Sequence, residues 1–226
     1  MSERIVLITG ASGGLGKSVS DKFLNEGDTV IGVSRSKEDR DHPGWSSIAT
    51  DLTKPDAAAA VIDEVLEQFG RIDVLVHALG GFAGGTKTEE TDVETWARMM
   101  DMNANAAFYV LRAVLPGMVS RQKGRIIAVG SRAGVQPAPG VSAYGASKAA
   151  LNALMQTVAS ENRDRGITAN VILPSVIDTE ANRKGAPAEE IAKWVRPESI
   201  AQLIYWLASD HAADINGVLV PIYGRA

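Results

Sequence analysis

Hydrophobic residues along the chain follow two patterns, and segments of the two kinds alternate. Short continuous apolar runs such as Ile5-Val6-Leu7-Ile8 are typical of strands buried on both faces, whereas longer stretches repeat apolar residues every three or four positions and predict helices. Strand patterns cover residues 5–8, 29–33, 47–49, 74–76, 125–129, 168–173 and 217–221, and helical patterns cover residues 14–25, 55–69, 93–121, 143–165 and 197–209. This alternation predicts an α/β fold, with a parallel sheet covered by helices on both faces.

Composition narrows the class of protein without naming a function. The 226 residues are enough for one α/β domain over 1–226 and short for two. A formal net charge of -4 gives no sign of a nucleic-acid or membrane partner. Cysteine is absent, which excludes disulfides, thiolate catalysis and cysteine metal sites, and no metal is expected. Without a leader or an apolar stretch of membrane-spanning length, a cytoplasmic location is expected.

A glycine-rich turn follows the first strand. The segment Thr9-Gly10-Ala11-Ser12-Gly13-Gly14-Leu15-Gly16-Lys17 stands between that strand and the first helical pattern. A strand, a glycine-rich turn and a helix start predict a dinucleotide-binding site, because glycines let the backbone approach a pyrophosphate and free N–H groups at the helix start receive the anion. The alternative is a surface turn that contains glycines for steric reasons alone. The candidate cofactor residues here are Gly10, Ser12, Gly13, Gly14, Leu15 and Gly16.

Tyr144 and Lys148 form a candidate catalytic pair. They stand four residues apart at the start of a predicted helix, so their side chains are expected on one face. A nearby ammonium favours the phenolate, and we therefore expect Lys148 to lower the pKa of Tyr144 and make it a usable acid or base. The alternative is a half-buried aromatic beside a solvated lysine.

Together these segments resemble the short-chain dehydrogenase/reductase family. Thr9-Gly10 with Gly14 and Gly16 is similar to its cofactor-binding turn, and Tyr144-x-x-x-Lys148 is similar to its catalytic pair. The resemblance implies a single Rossmann-type doubly wound sheet of about seven strands in the order 3-2-1-4-5-6-7. Further matches imply that Ser131 binds the substrate oxygen, that Asn103 serves a proton relay, that Lys148 also holds the nicotinamide ribose, and that the segment containing Pro174, Ile177 and Thr179 holds the nicotinamide carboxamide.

The end of the second strand bears on the choice of cofactor. An NAD site usually has a carboxylate there for the ribose hydroxyls, whereas this chain has Ser34 followed by Arg35. A hydroxyl beside a guanidinium suits a 2'-phosphate, so NADP(H) is preferred and NAD(H) remains possible. An ordinary surface arginine is the alternative reading of Arg35. Asp51 and Leu52, after the third strand, match the adenine-binding position of the family, and a turn or helix-capping aspartate is the alternative there.

The chain departs from the family pattern at two places. Many members have Asn-Asn-Ala-Gly after the fourth strand, whereas this chain has His77, Ala78, Leu79 and Gly80, of which Ala78 and Gly80 are candidate cofactor residues. We expect His77 to tie neighbouring strands together or to be a satisfied core histidine, not to be catalytic. Ser175 replaces the glycine that usually follows Pro174.

The favoured function is hydride transfer between a nicotinamide cofactor and a small carbonyl or alcohol substrate, with Tyr144 as the acid or base. One alternative is a pterin reductase, because residues 80–85 and 180–187 resemble dihydropteridine reductases, a divergent group of the same family. Those reductases use NADH and lack the serine and asparagine that this chain keeps as Ser131 and Asn103. Another alternative is a catalytically silent dinucleotide sensor.

Association is also expected. The predicted helices at 93–121 and 143–165 carry more apolar residues than one sheet face should need, and in the family the corresponding helices pair across a two-fold axis. A homodimer or homotetramer is the prediction, and the alternative is that these residues all belong to the core. The residues concerned are Met99, Met100, Phe108, Leu151, Leu154, Met155 and Val158.

Overall fold

A computed structural model describes residues 4–225 and contains one seven-stranded sheet. Every strand pair is parallel, and the strand order β3-β2-β1-β4-β5-β6-β7 confirms the predicted fold class and topology. The strands are β1 (Ile5–Thr9), β2 (Thr29–Ser34), β3 (Trp45–Ala49), β4 (Val74–His77), β5 (Gly124–Val129), β6 (Ile167–Pro174) and β7 (Leu219–Ile222).

Helices cover both faces of the sheet, because successive strand residues point to opposite sides. Leu7 of β1 packs into the core beneath α2, α4 and α5, whereas its neighbours Val6 and Ile8 pack beneath α1 and α8. The helices are α1 (Gly14–Asn25), α2 (Pro55–Phe69), α3 (Val93–Met100), α4 (Ala106–Arg121), α5 (Ser142–Glu161), α6 (Glu180–Arg183), α7 (Ala188–Ile191) and α8 (Pro197–Leu207).

The helix predicted over residues 93–121 is instead two helices joined by a wider turn. Residues Asp101–Asn105 form one π-helical turn between α3 and α4. A π turn holds one more residue than an α turn, so it changes which side chains face inward, and such turns are frequent at functional sites. Asn103 lies in this turn and is completely buried. The helical stretch thus has the predicted bounds, but the π turn was not predicted, because apolar spacing on both sides of it is helical and carries no sign of the extra residue.

Most of the residues assigned to an association surface belong to the core. Met99, Leu151, Met155 and Val158 are buried within a single chain. Phe108, by contrast, leaves 47% of its surface exposed on α4. Much of the apolar excess on these helices therefore belongs to the core of the single chain, and only part of it is left for a partner.

Close backbone packing at the start of α1 requires a glycine. A methyl group on Gly16 would overlap the carbonyl oxygen of Gly10 and would lie 2.8 Å from the Cα atom of Ala11. Gly10 itself has a φ of +72°, a left-handed conformation that glycine adopts without strain. The first helix can therefore approach the end of β1 only because both positions lack a side chain.

Replacing Gly16 with alanine should destabilise the fold. The overlap with the Gly10 carbonyl forces a backbone shift, and overpacking of this kind costs about 1–3 kcal/mol. Gly117→Ala is the matched control, because a methyl group there meets its nearest neighbour, the Arg121 side chain, at an ordinary 3.6 Å. Since alanine is the better helix former, the control should gain about 0.5–1 kcal/mol. Urea unfolding measures both changes, and equal effects would contradict the packing argument.

Candidate active site

A cavity of about 670 Å³ opens at the carboxyl ends of β1 to β4. In doubly wound sheets, ligands bind at this edge, where the strand order reverses. Nine of the candidate cofactor residues border the cavity: Gly10, Ser12, Gly13, Ser34, Arg35, Asp51, Leu52, Ala78 and Gly80. Sequence reasoning missed the rest of its wall, which is formed by Val33, Thr50, Thr53, Leu79, Glu94, Ala97, Arg98, Asp101 and Met102.

The start of α1 has the features of an anion-binding site. Gly13 is the N-cap residue, it has an extended backbone, and no side chain caps the free N–H groups of the first turn. No acidic side chain stands in that turn. The helix therefore begins at the edge of the cavity, which its N-cap residue Gly13 borders, and the positive end of the helix dipole lies there. This arrangement fits the pyrophosphate of a dinucleotide.

The polar groups that border the cavity after β2 and β3 fit the adenosine half of a dinucleotide. The hydroxyl oxygen of Ser34 accepts a hydrogen bond from the backbone N–H of Ser12 at 2.9 Å, which ties β2 to the glycine-rich turn. Arg35 is exposed beside it on the cavity wall. Asp51 accepts two hydrogen bonds from Thr53, at 3.0 and 2.8 Å, and these bonds lower the pKa of the carboxyl group. Asp51 therefore stabilises a turn through Thr53, and it also borders the cavity.

Other predicted cofactor residues lie away from this wall. Leu15 is buried in the core beneath the sheet, and Gly16 is packed against the β1 turn, so neither borders the cavity. Thr179 lies close to the turn, since a methyl group on Gly14 would lie 2.9 Å from its Cγ2 atom. Pro174 ends β6, and Ile177 follows it in the same segment.

Ser175, the residue that replaces a glycine of the family, anchors this segment to β7. Its hydroxyl donates to the carbonyl oxygen of Tyr223 at 2.7 Å, and its backbone N–H donates to the carbonyl of Ile222 at 3.3 Å. The turn after Pro174 is therefore held by a side-chain bond that glycine could not form.

Asn103 joins three parts of the site through its side-chain amide. Its Oδ1 atom accepts from the N–H of Gly81 at 2.9 Å, and its Nδ2 atom donates to the carbonyl of Gly81 and to the hydroxyl of Ser147, each at 3.0 Å. The Ser147 hydroxyl in turn donates to the carbonyl oxygen of Tyr144 at 2.7 Å. The loop after β4, the π turn and the first turn of α5 are thus held in one arrangement.

Lys148 is a buried cation behind the cavity. Only 4% of its surface is exposed, and its ammonium group donates to the carbonyl of Val129 at 2.8 Å. Burial lowers the pKa of Lys148 to about 8 because the charged form loses hydration. A methyl group on Gly80 would lie 3.0 Å from the ammonium nitrogen, so a glycine there leaves room beside the charge.

The Ser131 side chain lies close enough to Tyr144 to influence its pKa. Burial raises the pKa of Tyr144, and a hydrogen bond with the Ser131 hydroxyl opposes that rise. The predicted lowering of this pKa by Lys148 is therefore wrong for the protein on its own, because burial outweighs any attraction of the ammonium for the phenolate. The Ser131 oxygen also accepts from the N–H of Ala133 at 3.2 Å, which fixes the orientation of its side chain.

His77 joins two strands of the sheet. Its Nδ1 atom lies 3.0 Å from the hydroxyl of Thr9, so the ring links β4 to β1, as expected for the residue at this position. The ring is 1% exposed, and burial, aided by the charge of Lys148, lowers the pKa of His77 to about 3. The imidazole is therefore neutral at physiological pH.

Within residues 4–225, no cluster of three or more His, Cys, Asp or Glu side chains could hold a metal ion. None of the helices in the same range is long and apolar enough to cross a membrane.

Comparison with known proteins identifies the family. Residues 4–190 match the family described as short chain dehydrogenase. The chain belongs to the short-chain dehydrogenase/reductase family. It is 32% identical to the 3-oxoacyl-[acyl-carrier-protein] reductase FabG of Thermotoga maritima, over 98% of this chain and 96% of that protein.

Two further relatives agree with this placement in the short-chain dehydrogenase/reductase family. YvrD of Bacillus subtilis strain 168, named an uncharacterized oxidoreductase, is 33% identical over 99% of this chain and 96% of its own length. The solved structure of ElxO with NADP bound superimposes with a TM-score of 0.93 and 26% identity, covering 98% of both chains. The protein is therefore an oxidoreductase with the fold of enzymes that bind nicotinamide cofactors.

The buried ammonium of Lys148 should make stability depend on pH in the alkaline range. In the unfolded chain the lysine keeps its proton until about pH 10.4, whereas the folded protein releases it near pH 8. Between these values the unfolded state binds more protons, so the free energy of unfolding should rise with pH by up to about 1.4 kcal/mol per unit. Lys148→Met should lack this rise.

Urea unfolding of both proteins at pH 7, 8.5 and 10 measures the effect. The stability of the wild type relative to Lys148→Met should increase across the series, whatever the sign of the difference at pH 7. A constant difference would show that the ammonium is not held in a poorly hydrated environment.

Proposed function

We propose that the protein is an NADP(H)-preferring reductase that interconverts small carbonyl compounds and alcohols, and that it works as a single domain over residues 1–226. The observation that carries this proposal is that Tyr144, Ser131 and the buried Lys148 lie close together, next to a cavity suited to a dinucleotide. A tyrosine hydroxyl and a serine hydroxyl near one another suit the binding of a substrate oxygen.

The proposed cofactor site uses the residues that border the cavity. The N–H groups at the start of α1 would receive the pyrophosphate, and Asp51 would bind the adenine amino group. Arg35 and Ser34 would bind the 2'-phosphate, since a guanidinium and a hydroxyl both donate to phosphate oxygens. ElxO, which is 26% identical, has been solved with NADP bound, and this supports the preference for the phosphorylated cofactor.

The proposed chemistry gives each polar side chain of the site one role. A bound nicotinamide would supply or accept a hydride at the substrate carbon. Tyr144 would donate the proton to the substrate oxygen in reduction, since its hydroxyl holds that proton at neutral pH. Ser131 would hydrogen-bond the same oxygen as its negative charge develops, and Lys148 would hold the nicotinamide ribose while its charge attracts the forming phenolate.

The direction and class of the reaction are supported by a relative's name. FabG of Thermotoga maritima is named a 3-oxoacyl-[acyl-carrier-protein] reductase, so its named reaction reduces a ketone group. The pterin alternative rests only on the likeness of residues 80–85 and 180–187. The intact set of Asn103, Ser131, Tyr144 and Lys148 favours the carbonyl substrate over that alternative.

We propose that the protein assembles as a homodimer or homotetramer through the outer surface of α3, α4 and α5. Trp96 on α3 and Phe108 on α4 remain 45% and 47% exposed, although both are large apolar side chains. Association would remove this surface from water.

Tyr144→Phe tests the proposed proton donor. The change removes one hydroxyl and little volume, so turnover of a ketone substrate should fall by at least about a hundredfold while NADPH affinity stays nearly unchanged. Tyr109→Phe, which alters a tyrosine on α4, is the matched control and should keep wild-type turnover. Steady-state kinetics and fluorescence titration with NADPH measure the two effects, and retained turnover in Tyr144→Phe would end this mechanism.

Arg35→Asp tests the choice of cofactor. The change replaces a phosphate ligand with a repelling charge, so NADPH should bind at least about tenfold more weakly while NADH binding changes little. Lys37→Asp makes the same change of charge in the same loop, at a residue that does not border the cavity. Titration of each variant with NADPH and with NADH measures the change in affinity for each cofactor. Equal weakening of NADPH and NADH in Arg35→Asp would show that Arg35 does not recognise the 2'-phosphate.

A further inference from the structure

Phe82 is a large apolar side chain left in solvent beside Tyr144. It is 68% exposed, and its ring meets the ring of Tyr144 edge to face, with centroids 5.0 Å apart and planes at 74°. Most of the ring surface is therefore open on the side away from the chain. An exposed aromatic side chain next to a proton-donating phenol offers a hydrophobic contact to whatever binds there.

The loop that carries Phe82 is held at both ends. The side-chain amide of Asn103 bonds both the N–H and the carbonyl of Gly81, directly before Phe82. At the other end, the N–H of Gly85 donates to the carbonyl of Gly140 at 2.9 Å. The hydrogen bonds at both ends of the loop thus hold the backbone on either side of Phe82 in place.

Glycines around the ring keep this loop narrow. A methyl group on Gly84 would lie 2.8 Å from the Cζ atom of Phe82 and 3.0 Å from Val141. A methyl group on Gly81 would lie 2.8 Å from the Cε atom of Met102, a residue of the cofactor cavity wall. The loop therefore fits closely between the cavity and the segment before α5, with Phe82 as its one large side chain.

We propose that Phe82 forms one wall of the substrate site and selects carbonyl compounds that carry an aromatic ring on the carbonyl carbon; this inference rests on the proposed function. A substrate oxygen that accepts from Tyr144 and Ser131 places its carbonyl carbon beside the tyrosine ring, which Phe82 already touches. An aromatic substituent then packs against Phe82 and gains the extra attraction of an aromatic pair, which a saturated ring lacks.

Acetophenone and cyclohexyl methyl ketone form a matched pair of probes, because they differ only in whether the ring is aromatic. The readout is the ratio of kcat/KM for acetophenone to kcat/KM for cyclohexyl methyl ketone, compared with the ratio of the wild type. Phe82→Ala and Phe82→Leu should lower this ratio about tenfold, and Phe82→Tyr should keep it. Phe108→Ala removes an exposed ring that also meets a tyrosine edge to face, and it should leave the ratio unchanged.

Binding to the NADP⁺-loaded protein gives a second readout that needs no turnover. By calorimetry, Phe82→Ala should weaken the binding of acetophenone about tenfold more than it weakens the binding of cyclohexyl methyl ketone. If both the kinetic ratio and the binding ratio stay at wild-type values in Phe82→Ala, the inference is overturned while the proposed function stands. If the binding contrast is present and the wild type reduces neither these ketones nor any diketone or quinone, the proposed reaction fails and the role of Phe82 as a binding wall is supported.

Discussion

The candidate site depends on one buried amide. The side chain of Asn103 satisfies both backbone polar groups of Gly81 and also holds Ser147, whose hydroxyl bonds the first turn of α5. Buried polar groups without partners cost about 1–3 kcal/mol each, so this set of bonds strongly favours one arrangement of the loop, the π turn and the helix. Tyr144, Lys148 and Phe82 all take their positions from elements that this amide joins.

Burial, more than the pairing of charges, sets the electrostatics of the site. It lowers the pKa of Lys148 to about 8 and that of His77 to about 3, and it raises the pKa of Tyr144. The protein on its own therefore holds a protonated phenol, a neutral imidazole and an ammonium whose charge is sensitive to alkaline pH. This state holds the proton that reduction of a substrate oxygen requires, although the raised pKa makes the phenol a weaker acid than a free tyrosine.

Local signals in the sequence were sufficient to predict where a helix begins and ends when a glycine or a proline stands at its ends. The bounds of α1 and α2 agree residue for residue with the prediction, because glycines bracket the first helix, and Pro55 and Gly70 mark the ends of the second. The strand order came with the family resemblance and not from periodicity. The π turn at Asn103 has no comparable signal, because apolar spacing is helical on both sides of it.

Spacing along a helix also says nothing about burial. The four-residue interval correctly placed Tyr144 and Lys148 on one helix, but the direction of the tyrosine pKa shift depends on how completely both side chains are desolvated. Likewise, the apolar residues Met99 and Leu151 are part of the core, although their pattern alone is equally consistent with a surface for a partner. Such properties arise only when distant segments pack together.

The most direct test of the proposed activity is the near-ultraviolet absorbance of NADPH mixed with the wild-type protein and a panel of diketones, quinones and quinonoid dihydropterin. If the protein reduces carbonyl compounds, absorbance is lost with at least one diketone or quinone, in proportion to the alcohol or hydroquinone formed. Tight binding of NADPH with no loss of absorbance for any carbonyl compound would contradict the proposed activity and would favour a dinucleotide sensor. Loss with the dihydropterin alone would favour a pterin reductase instead.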